Sequence, residues 1–251
     1  MARRGPVNAI RREIRRLPGR LDGLEQKARL TIGRQASAAY VPRLVVEAST
    51  WARDAKTCLR ALGYEVAPHL EEEFESLLGS ADRSTQWPDY FDTGKESARF
   101  LYFLVRMTAP KRMLETGVAN GKSTSIILQA MDANGEGELH SIDMTRNVGQ
   151  IFGGKHDRWT LHVTHGRAID VKRVLEEIGS LDIFLHDADH SYKSQMREYE
   201  LAEKFIAASG LLLSDDVDAS WAFRDFCARA ARPMGLLGDE TKVFGFTRLN
   251  D

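Results

Sequence analysis

Cysteine is scarce in this chain. The 251 residues contain two, Cys58 and Cys227, and neither belongs to a CxxC pair. That argues against a disulfide scaffold and against a thiolate zinc site. Long apolar runs are missing as well. No stretch reaches the ~18 residues that suit a membrane-spanning helix, and the arginine-rich start is not followed by a signal-peptide core. The expectation is a soluble, cytoplasmic chain with no membrane span. The net charge is −1, but it is unevenly distributed. Locally, residues 1–34 hold ten Lys/Arg against three Asp/Glu. This segment reads as a solvated or subunit-packing helix, or as a contact for nucleic acid, acidic lipid or an acidic partner. Pro6, Pro18 and Gly19 interrupt it, which argues against a long DNA-reading helix. No aromatic–basic interleaving supports nucleic-acid binding.

Hydrophobic residues make up 43% of the chain, enough to bury a substantial core. Residues 49–63 read as helical, Ser84–Gly94 as a turn-rich aromatic segment, and Glu96–Met107 as an apolar-periodic helix stopped before Pro110. From Met113 the pattern alternates. Strands are expected at 113–118, 139–143, 159–164, 181–185 and 211–214, with helices at 122–131, 168–178, 192–208 and 221–231. Short strands separated by helices predict a mainly parallel sheet covered on both faces. Two last strands, 234–237 and 243–247, are joined by the turn-like GDET. So short a connection predicts an antiparallel hairpin at one edge.

The richest stretch is MLETGVANGKSTSIIL, Met113 to Leu128. Strand, glycine turn and helix in succession build a small-molecule cleft at the end of an α/β sheet. Two phosphate-binding readings fail on spacing. A P-loop needs its first glycine at position 116, which is Thr116, and a dinucleotide fingerprint needs glycine where Ala119 stands. A cofactor without phosphate needs neither. Glu115 can receive hydrogen bonds from a cationic or amine group. Ser123 and the helix start can hold a carboxylate. Asp143, ending the second strand, can accept both hydroxyls of a ribose, or it can cap a helix. These are the demands of S-adenosylmethionine.

A second constellation lies at later strand ends: Asp187, Asp189 and His190 after LDIFL, and Asp215 and Asp216 after LLLS. Carboxylates crowded on one rim repel, and a divalent cation relieves that cost; oxygen ligands suit magnesium or manganese. The alternative is that Asp189 and Asp216 cap helices or bind basic neighbours. His190 is a candidate base for a hydroxyl proton, or a helix-start histidine bonded locally. His186 reads as structural, beneath the rim.

The blocks LETGVANGKST, HSIDM, DIFLHDADHSY and GLLLSDDV resemble the class I S-adenosylmethionine-dependent methyltransferases. Within them the chain is similar to the small-molecule O-methyltransferases, near the catechol and macrolide-sugar enzymes, over residues 95–251. The resemblance implies a Rossmann-like, seven-stranded, mostly parallel sheet with a C-terminal antiparallel hairpin and helices on both faces. It implies a cofactor site drawn from Glu115, Thr116, Gly117, Asn120, Gly121, Ser123, Thr124, Asp143, Arg167 and Asp187. Arg167 departs from the acidic or hydroxyl residue usual after the glycine on the adenine side. Asp187, Asp215 and Asp216 correspond to the metal ligands; His190, read above as a base, and Asp187 are the candidate catalytic residues. Residues 1–94 form a helical extension over the acceptor pocket, with Trp87, Tyr90, Phe91 and Trp221 as wall residues and a homo-oligomer as the expected assembly. The acceptor is a phenolic or sugar hydroxyl on a natural-product-sized molecule. Other readings stay open. A DADHSY-like block also resembles hydroxylases of antibiotic intermediates, where His186, His190 and Asp187 supply the letters of an iron site. An NAD-binding oxidoreductase and a non-catalytic scaffold are the remaining two.

Overall fold

The computed structural model describes residues 50–78, 93–239 and 242–249. Trp87, Tyr90 and Phe91 lie outside the described residues. Among the described residues, eight strands form one sheet: β1 (Thr50–Ala52), β2 (Arg112–Thr116), β3 (Glu138–Asp143), β4 (Trp159–Val163), β5 (Leu181–His186), β6 (Ile206–Ser214), β7 (Gly235–Asp239) and β8 (Lys242–Arg248). Their order across the sheet is β1-β7-β8-β6-β5-β2-β3-β4. Strands β2 to β6 run parallel. β8 is antiparallel to both β6 and β7, as the short GDET connection requires.

Seven α-helices among the described residues accompany the sheet: α1 (Ala55–Ala61), α2 (Pro68–Leu78), α3 (Lys95–Thr108), α4 (Lys122–Asn134), α5 (Ala168–Ile178), α6 (Tyr192–Ala202) and α7 (Ala222–Arg229). Strand alternation sorts the core into two layers. Ile183, Leu185, Leu211 and Leu213 join the cluster built from α1, α3 and α4, whereas Phe184 and Leu212 are buried outside it. Helix α3 is the centre of the first layer. Six consecutive residues, Phe100 to Val105, are buried, and Phe100 packs 5.7 and 5.1 Å from the rings of Phe244 and Phe246. Left-handed Ala109, followed by Pro110, ends the helix. On the other face, Tyr199 of α6 packs against Phe223 and Phe226 of α7.

The sheet has one strand more than the seven expected. The 49–63 segment is not all helix: Thr50–Ala52 pairs in parallel with β7, and Asp54 then caps α1 by accepting the Thr57 N–H at 2.8 Å. Helix α6 also ends earlier than its apolar pattern, at Ala202 rather than 208. Ile206 is drawn into β6 by pairing with Leu181, so burial in the sheet overrides the local periodicity.

One tertiary cap fixes the start of α3. Gly94 supplies no capping side chain; the buried Asp239 carboxylate from β7 accepts the Ser97 N–H at 2.7 Å instead. A β-carbon at position 94 would lie 2.2 Å from that carboxylate. Asp239→Ala is expected to lower the unfolding free energy by about 1–2 kcal/mol, read from denaturant melts. An unchanged midpoint would mean that the cap contributes nothing.

Candidate functional site

The carboxyl ends of β2, β3, β5 and β6 make one rim. Backbone bonds carry the ladder one residue past the strands: Gly117 N–H to Ile142 O at 2.8 Å, Asp187 N–H to Thr116 O at 2.8 Å, and Asp215 N–H to His186 O at 2.9 Å. The glycine turn, the Asp187 segment and the Asp215 segment are therefore neighbours.

The turn is held from below by Glu115. Its fully buried carboxylate accepts from Ser123 Oγ at 2.5 Å, Thr124 Oγ1 at 2.7 Å and Ser141 Oγ at 2.9 Å. Burial raises its pKa, and the three hydroxyls act against that rise. Glu115, Ser123 and Thr124 thus satisfy one another rather than pointing outward. Thr116 is turned away as well, donating to Glu198 Oε2 at 2.7 Å. Gly117 has φ +86°, and a β-carbon there would sit 1.9 Å from the Asp187 carbonyl oxygen. Asn120 is buried, and its carbonyl accepts the Ile151 N–H. Gly121, at φ 88°, precedes α4 without any side-chain cap, which leaves first-turn N–H groups for an anionic ligand.

Asp143 accepts the Val118 N–H on one oxygen and the Thr145 N–H on the other, each at 3.0 Å, keeping one lone pair on each. The next residue, Met144, is 71% exposed, and its sulfur would meet a β-carbon at Gly166 at 2.9 Å. Sequence reasoning misses this apolar side chain; its only signal is its place directly after Asp143. Arg167 turns back to Asp170, at 3.1 and 3.2 Å. Trp221 precedes α7, with the Arg224 guanidinium 4.9 Å over its ring.

The acidic rim contains a cation that the strand-end motifs do not reveal. Lys242 Nζ lies 3.0 Å from Asp215 Oδ2 and 3.8 Å from Asp216 Oδ2, with its side chain 18% exposed. Burial acts to lower the lysine pKa, but Asp215, Asp216 and Asp187 outweigh it and raise it. His190 Nε2 is 3.5 Å from Asp216 Oδ2 and 3.8 Å from Asp187 Oδ1. Burial, and then His186, push the His190 pKa down to about 4, so its ring is neutral at pH 7. Asp187 is raised well above the usual carboxylate range, by burial and then by the Asp215 charge. Asp216 rises to about 7 for the same two reasons. Its backbone is left-handed, φ 47°, an uncommon conformation for a residue other than glycine. Asp189 accepts from Ser191 N–H and Oγ, as a local turn at the start of α6.

His186 is fully buried under the rim, with Nδ1 2.8 Å from Glu198 Oε2. Its ring stands at 86° to that of His190, with centroids 5.6 Å apart. Among the described residues, no group of three His, Cys, Asp or Glu side chains is arranged to hold a metal ion.

Residues 114–217 match the family model described as a methyltransferase domain. This segment is similar to that family's domain. It holds the glycine turn, Asp143 and every rim carboxylate, but not Lys242. No curated protein matches the chain. Among solved structures, the chain is similar to an O-methyltransferase from Bacillus cereus in complex with SAH, at 17% identity over 73% of this chain and 90% of that one (TM-score 0.52). It is also similar to the O-methyltransferase TomG from Streptomyces achromogenes, involved in tomaymycin synthesis and in complex with SAM, at 16% over 78% and 96% (TM-score 0.54). A methyltransferase from Geobacter sulfurreducens matches at 17% over 74% and 91% (TM-score 0.52). At these identities the likeness establishes a common Rossmann-like methyltransferase fold. The domain lies in a chain whose described helices include none long and apolar enough to cross a membrane.

Two measurements check the site's energetics. Glu115→Ala removes the acceptor from three buried hydroxyls and is expected to cost about 3 kcal/mol of stability, read from denaturant melts; a loss below about 0.5 kcal/mol would contradict the keystone role. For Asp216, the raised folded pKa means that the folded chain holds its proton more tightly than the unfolded one. This group's stabilising contribution is therefore full below its ordinary pKa of 3.8 and is lost as pH rises toward about 7. Asp216→Asn is expected to flatten that part of the stability–pH curve, and melting curves taken across the interval check it.

Proposed function

We propose that this chain is an S-adenosylmethionine-dependent O-methyltransferase acting on a hydroxyl of a small molecule, phenolic or sugar. The observation that carries the reading is the placement of His190, 3.5 Å from Asp216 and 3.8 Å from Asp187, on the same strand-end rim as the glycine turn of a segment that matches a methyltransferase domain. The residues fit the cofactor. The uncapped first turn of α4 suits its amino-acid carboxylate, the free lone pairs of Asp143 suit its ribose hydroxyls, and exposed Met144 beside Gly166 suits the adenine face. Trp221 is proposed as a wall of the acceptor pocket, and residues 1–94 as its cover and as a contact in a homo-oligomer.

When bound, S-adenosylmethionine supplies an electrophilic methyl group on a sulfonium sulfur. His190 performs the proton work. In the tautomer that leaves Nε2 bare, it takes the acceptor hydroxyl's proton as the oxygen attacks the methyl carbon. Asp216, the nearer carboxyl at 3.5 Å from Nε2, stabilises the imidazolium as it forms when ionised, while Asp187, held toward its neutral form, flanks Nε2 at 3.8 Å. The depressed pKa keeps the base free of protons across the physiological range. A divalent cation on Asp187, Asp215 and Asp216 does not fit the rim as it stands, because the Lys242 ammonium already occupies their neighbourhood.

The test combines calorimetry with S-adenosylmethionine and an assay against phenolic and sugar acceptors. We expect saturable cofactor binding, and for His190→Ala a fall in kcat of about 10²–10⁴-fold with cofactor affinity retained. The acid limb of kcat/KM should lie near pH 4 rather than near the ordinary histidine value. Failure to bind S-adenosylmethionine would sink the proposal, and full activity in His190→Ala would remove the base.

A further inference from the structure

We infer that Lys242 is a built-in replacement for the divalent cation at the acidic rim, so that the site works with a resident ammonium and no metal. The inference deepens the methyl-transfer reading and rests on it for the word "works"; the ion geometry stands by itself.

Three observations converge on it. First, the carboxylates of Asp187, Asp215 and Asp216 gather at adjoining strand ends, where their mutual repulsion calls for positive charge. Second, the charge is supplied by the chain. Lys242 is the first described residue of β8, and it reaches both members of the Asp215–Asp216 pair, at 3.0 and 3.8 Å. An ammonium there uses the Asp215 oxygen that a hard cation would need, and it repels any dication brought to the remaining ones. Third, the lysine is held rather than free to swing. Its side chain is mostly buried, its strand partner is Asp239, which caps α3, and the Val243 N–H that follows donates to Asp218 Oδ1 at 3.3 Å. The other oxygen of Asp215, Oδ1, is buried with no hydrogen-bond partner among the described residues. With Oδ2 taken by the ammonium, Oδ1 remains an acceptor for a donor on a bound ligand. Lys242 is a positioning residue in this scheme: it fixes the Asp215 carboxylate and, beside His190, the Asp216 carboxylate, but it takes no proton.

A protein that replaces a metal by a lysine should regain the metal when the lysine is removed. Mn2+ is the probe, counted by electron paramagnetic resonance on the full chain without cofactor. We expect no saturable site in the wild type, and Asp215-dependent binding in Lys242→Met at least about tenfold tighter than any wild-type signal. Mn2+ should raise the melting temperature of Lys242→Met and leave that of the wild type unchanged. Lys242→Arg keeps the charge and should stay without a Mn2+ site. Methyl transfer by the wild type should be indifferent to EDTA. One saturable Mn2+ per wild-type chain, lost in Asp215→Asn, would overturn the inference, as would a folded Lys242→Met that gains no site. If Lys242→Met does not fold, the wild-type Mn2+ titration decides alone. Because Mn2+ is counted without cofactor, absence of S-adenosylmethionine binding would remove the methyl-transfer reading and leave the ion result readable.

Discussion

A carboxylate with no access to water holds three parts of this fold together. Glu115 lies near the end of an interior strand, its hydroxyl partners Ser123 and Thr124 open the following helix, and Ser141 comes from the neighbouring strand. Trp159 extends the network by donating its indole N–H to Ser141 Oγ at 2.9 Å. A buried acid without such partners would be strongly unfavourable; with three donors it fixes the direction in which β2 hands the chain to α4. The left-handed Gly117 and Gly121 sit within that frame. The free N–H groups at the start of α4 therefore point from a fixed place, and a ligand need not order them on binding.

The rim above is a problem of charge management. Three acids lie close together, and each acid solves its share differently. Asp215 has a lysine. Asp187 is pushed toward its neutral form by burial and by Asp215. Asp216 is pushed the same way, to about 7. The histidine between them is kept neutral by its own desolvation and by His186 beneath it. Burial and a shared neighbour thus raise two carboxyls of the rim while the imidazole beside them is kept neutral, a spread of the kind that acid–base chemistry at a single site uses.

Much of this is legible in the order of residues alone. The parallel core strands, the hairpin, the glycine turn and the positions of Asp143, Asp187, His190, Asp215 and Asp216 on one rim all follow from period and spacing. Local signals carry these features, because each strand end is followed directly by its candidate residue. The features that stay hidden depend on contacts between distant segments. Glu115 reads as a ligand-facing acid in the sequence because its partners come from two other elements. Lys242 reads as an ordinary residue of a hairpin, since only the β6–β8 pairing brings it to Asp215, 27 positions away. β1 hides in a helical pattern because a three-residue strand has almost no period of its own. Asp239, capping a helix 142 positions earlier in the chain, is of the same kind.

The short strand β1 matters out of proportion to its length. It lies beside β7, whose five residues are all buried and whose sequence, Gly-Leu-Leu-Gly-Asp, is almost devoid of charge. Without β1, β7 would be an edge, presenting unpaired backbone groups with none of the lysines or prolines that keep natural edges from sticking to other chains. At the opposite border, β4 carries His162 and Thr160 and is only partly buried, so it tolerates water. A fragment starting at residue 95 would keep the whole rim and still trade a closed border for an adhesive one. The border of the sheet is thus closed by a segment far upstream of the rim, a distance in sequence that the Thr50-to-Gly235 pairing reduces to one strand spacing.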